Sequence, residues 1–352
     1  MKFMHISDVH LGVKPDAGKP WSERRARDIW NTFAEVIETA GKEQVRFLFV
    51  TGDLFHAQPL KKEIREVNAL FETIPDTNVI IIAGNHDYLR PKSYYLSYPW
   101  AKNVFLFRKE TLEAIDFPED YVTVYGLSYW HREIRERLYD TAVPQNRDRI
   151  HILLAHGGDE KHIPFSAKRL AGAGFDYTAC GHIHKGSQLV PNRVVMAGAL
   201  EPTDCNDIGP HGYWMGEVTK ERCQLSFFPV QKCQYRHETF HVTRTTTNRD
   251  ILNWEKQMLA ESEPYQLFRI FLEGAMDPDM EIDVEQLSAP ERVIDVVCSL
   301  WPDYDYGKLA NEQEHTLTGH YIKAMQQKED TAVTRKALEY GVNALLGHKI
   351  CR

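Results

Sequence analysis

The chain has 352 residues, too many for one ordinary core and enough for a large domain plus a smaller one. Hydrophobic residues make up 43% and charged residues 26%, the composition of a soluble globular protein, and no run of 18 apolar residues is present to suggest a membrane span. The formal net charge of -8 excludes the strongly basic overall field that is the simplest footprint of a nucleic-acid binder.

The opening "MKFMHISDVHLG" has one lysine, then His5 and Asp8 where the apolar core of a signal peptide would have to continue, so a cytoplasmic location is the expectation. "KFMHIS" reads as a strand. "SERRARDIWNTFAEVIETAGKEQ" reads as a helix with Ser22 as N-cap and Ile29, Phe33, Val36 and Ile37 at helical spacing. "VRFLFVTGD" is a buried strand, "LKKEIREVNALFETI" a second helix and "NVIIIAGNHD" another buried strand. After a "SYYLSYPW" loop come a strand in "YVTVYGLSYW", a helix in "REIRERLY" and strands in "RIHILLAHGG", "FDYTACGHIH" and "RVVMAGAL". This alternation indicates an α/β layered fold. The texture changes near Pro229. "YRHETFHVT", "YQLFRIFLEG" and "MEIDVEQL" are expected as strands and "NRDILNWEKQMLAE" as a helix, a small α+β domain of about 80 residues. The end, from "TLTGHYIKAM" to "ALEYGVNALLGHKI", reads as two helices.

From Tyr235 onward there are 13 basic and 20 acidic residues, so the negative excess lies almost wholly in the last third. The six cysteines, Cys180, Cys205, Cys223, Cys233, Cys298 and Cys351, form no C-x-x-C pair and are expected to be reduced thiols.

Five short pieces carry chemistry. They are "DVH" (Asp8, His10), "GD" (Asp53), "GNHD" (Asn85, His86, Asp87), the His156 of "LLAHGG" and "GHIH" (His182, His184). Each piece alone is weak, but each follows an apolar strand, where open α/β sheets place their ligands. Imidazole suits borderline divalent ions, and carboxylate and amide oxygens suit harder ones, so the set points to manganese, iron or zinc rather than calcium. Two such ions about 4 Å apart activate a water and neutralise both oxygens of an in-line phosphoryl displacement, which requires a bridging carboxylate.

This set resembles the calcineurin-like metallophosphoesterases, over about residues 1–230. The resemblance implies a layered α/β/β/α sandwich with two divalent metal ions, manganese first and iron or zinc as alternatives. It implies that Asp8, His10, Asp53 and His184 bind one ion and that Asp53, Asn85, His156 and His182 bind the other. His86 would face the phosphate and protonate the leaving oxygen. Asp87 has two readings, a carboxylate orienting an imidazole or a turn-stabilising residue.

"DVHLG" followed by "GDLFH" further resembles the SbcD/YhaO-type nuclease subunit of double-strand-break repair complexes. That resemblance implies a phosphodiesterase acting on DNA, with His56 near the strand; the residue-level alternative is a turn histidine. It implies a catalytic domain over 1–230, a small α+β capping domain over 235–310 and a C-terminal helical segment over 311–352. The segment is amphipathic through Ile322, Met325, Ala337, Leu338, Tyr340, Gly341, Ala344 and Leu345, which fits packing on its own cap or docking to an SMC-like coiled-coil ATPase. Family members commonly form a homodimer through the catalytic domain. Arg90 and Lys92 are placed to meet a phosphate backbone, Glu201 or Asp204 to affect reception of a nucleic-acid end, and Trp130 and His131 to lie near the groove or to pack on the surface. The competing readings are a phosphomonoesterase or cyclic-nucleotide phosphodiesterase on small substrates, and a structural subunit whose metal site is secondary.

Overall fold

Over most of the chain, continuous apolar runs become buried strands and runs with helical apolar spacing become helices. The computed structural model describes residues 1–145 and 148–347, in two units, Met1–Gln234 and Tyr235–Arg352. In chain order the first unit contains β1 (Lys2–Ile6), α1 (Ser22–Lys42), β2 (Phe47–Thr51), α2 (Lys61–Glu72), β3 (Asn78–Ile82), α3 (Tyr94–Ser97), β4 (Val104–Leu106), β5 (Glu113–Phe117), β6 (Val122–Gly126), β7 (Ile150–His156), α4 (Ala167–Gly172), β8 (Tyr177–Gly181), β9 (Ser187–Val190), β10 (Val194–Met196), β11 (Gly212–Val218) and β12 (Cys223–Pro229).

Two six-stranded sheets result, ordered β12-β11-β1-β2-β3-β4 and β5-β6-β7-β8-β10-β9. The central strands of each are parallel; antiparallel strands close both edges of the second sheet and the β12-β11 edge of the first, whose other edge, β4, is parallel. Phe3, Phe47, Phe49, Ile80 and Ile82 of the first sheet share a core with Val122, Val124, Ile152, Leu154 and Tyr177 of the second. The other face of the first sheet packs Met4, Ile6, Leu48, Val50 and Ile81 on Ile29, Phe33 and Ile37 of α1 and Ile64, Val67 and Phe71 of α2. Strands covered on both faces have no polar alternation to show, which is why "FLFVT" reads as one apolar run. Each large side chain sealed this way contributes about 2 kcal/mol. The fold is thus mixed α/β, with two sheets face to face and helices outside.

Three local expectations fail in the first unit. Ser22 is the first helical residue rather than the cap; Trp21 holds the cap position, without a side-chain cap bond. "REIRERLY" is not an α-helix. Ile134 makes an isolated bridge to His162, and only Leu138–Thr141 turns, as a 3-10 segment, because one buried aliphatic per turn cannot hold a helix against the sheet. The "SYYLSYPW" loop contains the short α3, whose Ser93 side chain accepts the Tyr95 N–H.

The second unit contains β13 (Gln234–Val242), α5 (Asn248–Glu261), β14 (Gln266–Met276), α6 (Val284–Leu287), β15 (Val293–Pro302), α7 (Tyr306–Glu312), α8 (Leu317–Gln326) and α9 (Ala332–Leu346). Its three strands are ordered β13-β14-β15. The expected strand in "MEIDVEQL" is instead α6: the Asp283 carboxylate accepts the Gln286 N–H and starts a helix, and the third strand lies further on in β15. In the tail, Ile322 and Val342 are buried with Leu338 and Leu346 against them, whereas Tyr340 and Leu345 are exposed. The buried stripe of α9 therefore runs through Leu338, Val342 and Leu346. Residues 348–350 of the expected last helix, and Cys351, lie outside the described residues. The other five cysteines are free thiols. Among the described residues no helix is long and apolar enough to cross a membrane.

Candidate metal centre

Five strand ends meet at one place. Residues Asp8 and His10 follow β1, Asp53 follows β2, Asn85 and His86 follow β3, His156 closes β7, and His182 and His184 follow β8. Backbone bonds tie these ends together: Asp8 N–H donates to Gly52 O at 3.1 Å and His10 N–H to Asp53 O at 3.0 Å. The His182 N–H donates to Asp8 Oδ2 at 3.0 Å and the His86 N–H to Asp53 Oδ1 at 2.8 Å. Asp8, His10 and Asp53 have φ near 50°, and His182 has φ of 101°. Left-handed backbone at four non-glycine residues costs of order 1 kcal/mol each, and such strain clusters at functional sites. Two glycines make room: a Cβ on Gly52 would strike the His156 ring, and a Cβ on Gly84 would strike Asp53 and His156.

Among the described residues four clusters of donor atoms result, with the donor atoms in each within 4.8 Å of one another. Asp8, His10 and His184 form one and Asp53, His156 and His182 another, each with two buried members; His10, His56 and His86, and Asp159, His162 and His182, form the two less buried ones. Asp53 reaches both of the first two, since its Oδ2 is 3.9 Å from His10 Nε2 and 3.4 Å from His156 Nε2. Asn85 Oδ1 lies 2.9 Å from His156 Nε2 and 3.0 Å from His182 Nδ1. His156 gives Nδ1–H to Thr51 O at 2.8 Å, and His182 pairs Nε2 with Asp159 at 2.7 Å. The inward nitrogens then point at an amide oxygen and a carboxylate. Imidazole nitrogens, an amide oxygen and carboxylates converging in one buried site are a donor set that suits a borderline divalent ion.

The electrostatics agree with that crowding. Burial drives the His10 pKa down to about 3 although Asp53 opposes it, so His10 is a neutral imidazole. At His156 burial works against the imidazolium, but the Asp53 carboxylate outweighs it and pushes the pKa up to about 9. At Asp53 burial in turn works against the carboxylate, yet His156 and His10 hold it well below the usual range. At Asp207 and Asp159 burial is likewise outweighed by hydrogen bonds from histidine, leaving both ionised.

The residues expected to act on the phosphate separate into two kinds. His86 is half-buried, its Nδ1 is 3.1 Å from His56 O and its ring centroid lies 4.8 Å from that of His10. His56 is exposed, 5.2 Å from the His86 ring and with Nδ1 3.4 Å from His10 Nδ1. Asp87 differs: it is fully buried and touches no imidazole. Its carboxylate accepts the N–H groups of Gly84 and Phe55 and the hydroxyl of Tyr95, clamping the "GNHD" turn to the "GDLF" turn. Burial, then the nearby Asp53 charge, push its pKa up to about 7.

Glu201 is not at the surface either. It is 1% exposed and accepts from Arg25, Thr32 and the Lys232 N–H, while Asp204 closes its own turn on Asn206. Trp130 and His131 both bond to Glu110. Arg90 lies over the Tyr88 ring at 4.5 Å; Arg90 and Lys92 are exposed. Asp159 and Asp207, the carboxylates behind His182 and His184, are missed by sequence reading; Asp159 stands three residues past β7, the offset that Asn85 has from β3 and so a signal that was there to use, whereas no apolar strand leads into Asp207.

The calcineurin-like phosphoesterase family matches residues 1–186, more than half of the chain, and the chain belongs to that family. Its members are metal-dependent hydrolases with a dinuclear site. The uncharacterized metallophosphoesterase YhaO of Bacillus subtilis is 28% identical over 247 residues, covering 64% of this chain and 60% of the relative. The DNA double-strand break repair protein Mre11 of Sulfurisphaera tokodaii is 32% identical over 308 residues, covering 79% of this chain and 74% of the relative. The Mre11 of Sulfolobus acidocaldarius is 30% identical over 199 residues, 52% of this chain and 50% of the relative. The chain thus spans less than two thirds of two of these three relatives.

Proposed function

We propose that this chain is a two-metal phosphodiesterase acting on DNA, the nuclease subunit of a repair assembly with an SMC-like ATPase. The observation that carries the reading is the extent of the Sulfurisphaera Mre11 similarity. It covers 79% of the chain, whereas the first unit is 234 of 352 residues, so the likeness runs on into the second unit. A phosphatase relationship confined to the metal motifs would stop earlier.

In this reading Asp8, His10 and His184 hold one ion, Asn85, His156 and His182 hold the other, and Asp53 serves both. Two bound divalent ions, manganese before iron or zinc, supply a nucleophilic water near neutral pH and charge for the attacking and leaving oxygens. The chain's own residues do the rest. His10 presents a neutral nitrogen. The strained turns hold Asp8, Asp53 and His182 so that little reorganisation remains on binding. His86, anchored through its N–H on Asp53, faces the reacting phosphate and gives a proton to the departing sugar oxygen. His56, outside both ligand sets, contacts the DNA strand beside it.

The test is cleavage of end-labelled duplex and hairpin DNA against hydrolysis of p-nitrophenyl phosphate, both with manganese. DNA cutting with weak monoester hydrolysis is expected. Robust monoester hydrolysis without DNA cutting would overturn the reading in favour of a small-substrate phosphatase.

A further inference from the structure

Both imidazoles of the "GHIH" turn give their outward nitrogen to a carboxylate on a separate loop. His184 Nδ1 is 2.8 Å from Asp207 Oδ2, and His182 Nε2 is 2.7 Å from Asp159 Oδ2. The two rings use opposite nitrogens. The atoms left facing inward are therefore His184 Nε2, 3.0 Å from His10 Nε2, and His182 Nδ1, 3.0 Å from Asn85 Oδ1. Each carboxylate is itself fixed. Asp207 Oδ2 accepts the Thr203 N–H and hydroxyl, both at 3.0 Å. Asp159 Oδ1 accepts the Lys161 and His162 N–H groups at 2.8 and 2.9 Å and pairs with the His162 ring.

We propose that Asp207 and Asp159 are positioning residues, each governing one ion of the pair: Asp207 through His184, and Asp159 through His182. This rests on the two-ion reading above. A carboxylate that takes one ring N–H fixes the tautomer, stops ring rotation and raises the basicity of the opposite nitrogen. The wiring is one to one, since neither carboxylate touches the other cluster's imidazole. The two supports differ in firmness. Asp207 is 18% exposed and gripped by Thr203, whereas Asp159 is 44% exposed and shared with His162. The ion held by His184 is therefore the better anchored.

The test is manganese titration of the full chain without substrate, by calorimetry and electron paramagnetic resonance. Wild type should bind two ions with an exchange-coupled spectrum. Asp207→Asn and Asp159→Asn should each lower the affinity for one ion about 10- to 100-fold and leave the other within about twofold, giving a single-ion spectrum at low manganese. Asn85→Ala assigns the sites. On that background Asp207→Asn should weaken the remaining ion further and Asp159→Asn should not. Thr203→Val, a milder change, should weaken only the ion of His184. Equal loss of both ions in either variant, or no loss, would refute the one-to-one assignment. So would a third wild-type ion abolished by His162→Ala, because Asp159 would then be a ligand of its own site. Failure of wild type to bind two ions would instead sink the two-ion reading, and this proposal with it.

Discussion

At the scale of single residues, the imidazoles that would hold ions are, in the proposed reading, separate from those that would meet substrate. His86→Ala is expected to lower DNA cleavage by 10²- to 10⁴-fold, a range typical of losing a proton donor, while manganese stoichiometry stays at two. His56→Ala should impair DNA cleavage more than hydrolysis of bis-p-nitrophenyl phosphate, because a small diester does not reach it. Equal losses on both substrates would remove the strand-contact role. Glu255 on α5 makes a different prediction. It is 2% exposed, its Oε1 has no partner among the described residues, and burial pushes its pKa up to about 7. A carboxyl whose folded pKa is raised binds its proton more tightly in the folded state. Its contribution is full below pH 4.5 and is lost as the pH rises through 7, about 3 kcal/mol in all. Chemical denaturation of wild type should show that fall, and Glu255→Gln should flatten it.

At the scale of elements, strands were easier to read than what connects them. A buried parallel strand is an uninterrupted apolar run ending in a polar residue. "RFLFVTGD" and "VIIIAGNHD" therefore announce both the strand and its donor residue. "REIRERLY" and "MEIDVEQL" are short and charged, and their outcome depends on tertiary contacts or one capping carboxylate. The loop holding Asp207 is the clearest case. Its anchor, Glu201, is tied to Arg25 of α1 at 3.1 Å, a pairing across 176 residues that no local pattern announces. Arg25 is fully buried, so Arg25→Met leaves the Glu201 charge sealed without its partner and should cost about 3–5 kcal/mol. Urea denaturation measures it; a loss below 1 kcal/mol would mean that Glu201 is solvated or neutral.

At the scale of the whole molecule, each unit has its own apolar core, and the charge is divided unevenly between them. The first 234 residues are nearly neutral, and the remainder carries 13 basic against 20 acidic residues. Few phosphates can be neutralised by such a chain, so few counterions are released when it meets a duplex. The isolated protein should bind duplex DNA with a Kd no tighter than about 10⁻⁶ M at physiological salt, with a shallow salt dependence. Fluorescence anisotropy across a salt series checks this. Nanomolar affinity with a steep slope would show that the chain needs no partner to engage DNA.

The opposite use of ring nitrogens at His182 and His184 makes one amino acid into two different reagents. Asparagine sets its amide oxygen about where Nδ1 lies, and glutamine sets its own about where Nε2 lies. His182→Asn should therefore keep more manganese affinity than His182→Gln, and the order should invert at His184. Two histidines separated by one residue would then tolerate opposite amides, a substitution grammar set by the side of the ring on which each carboxylate sits.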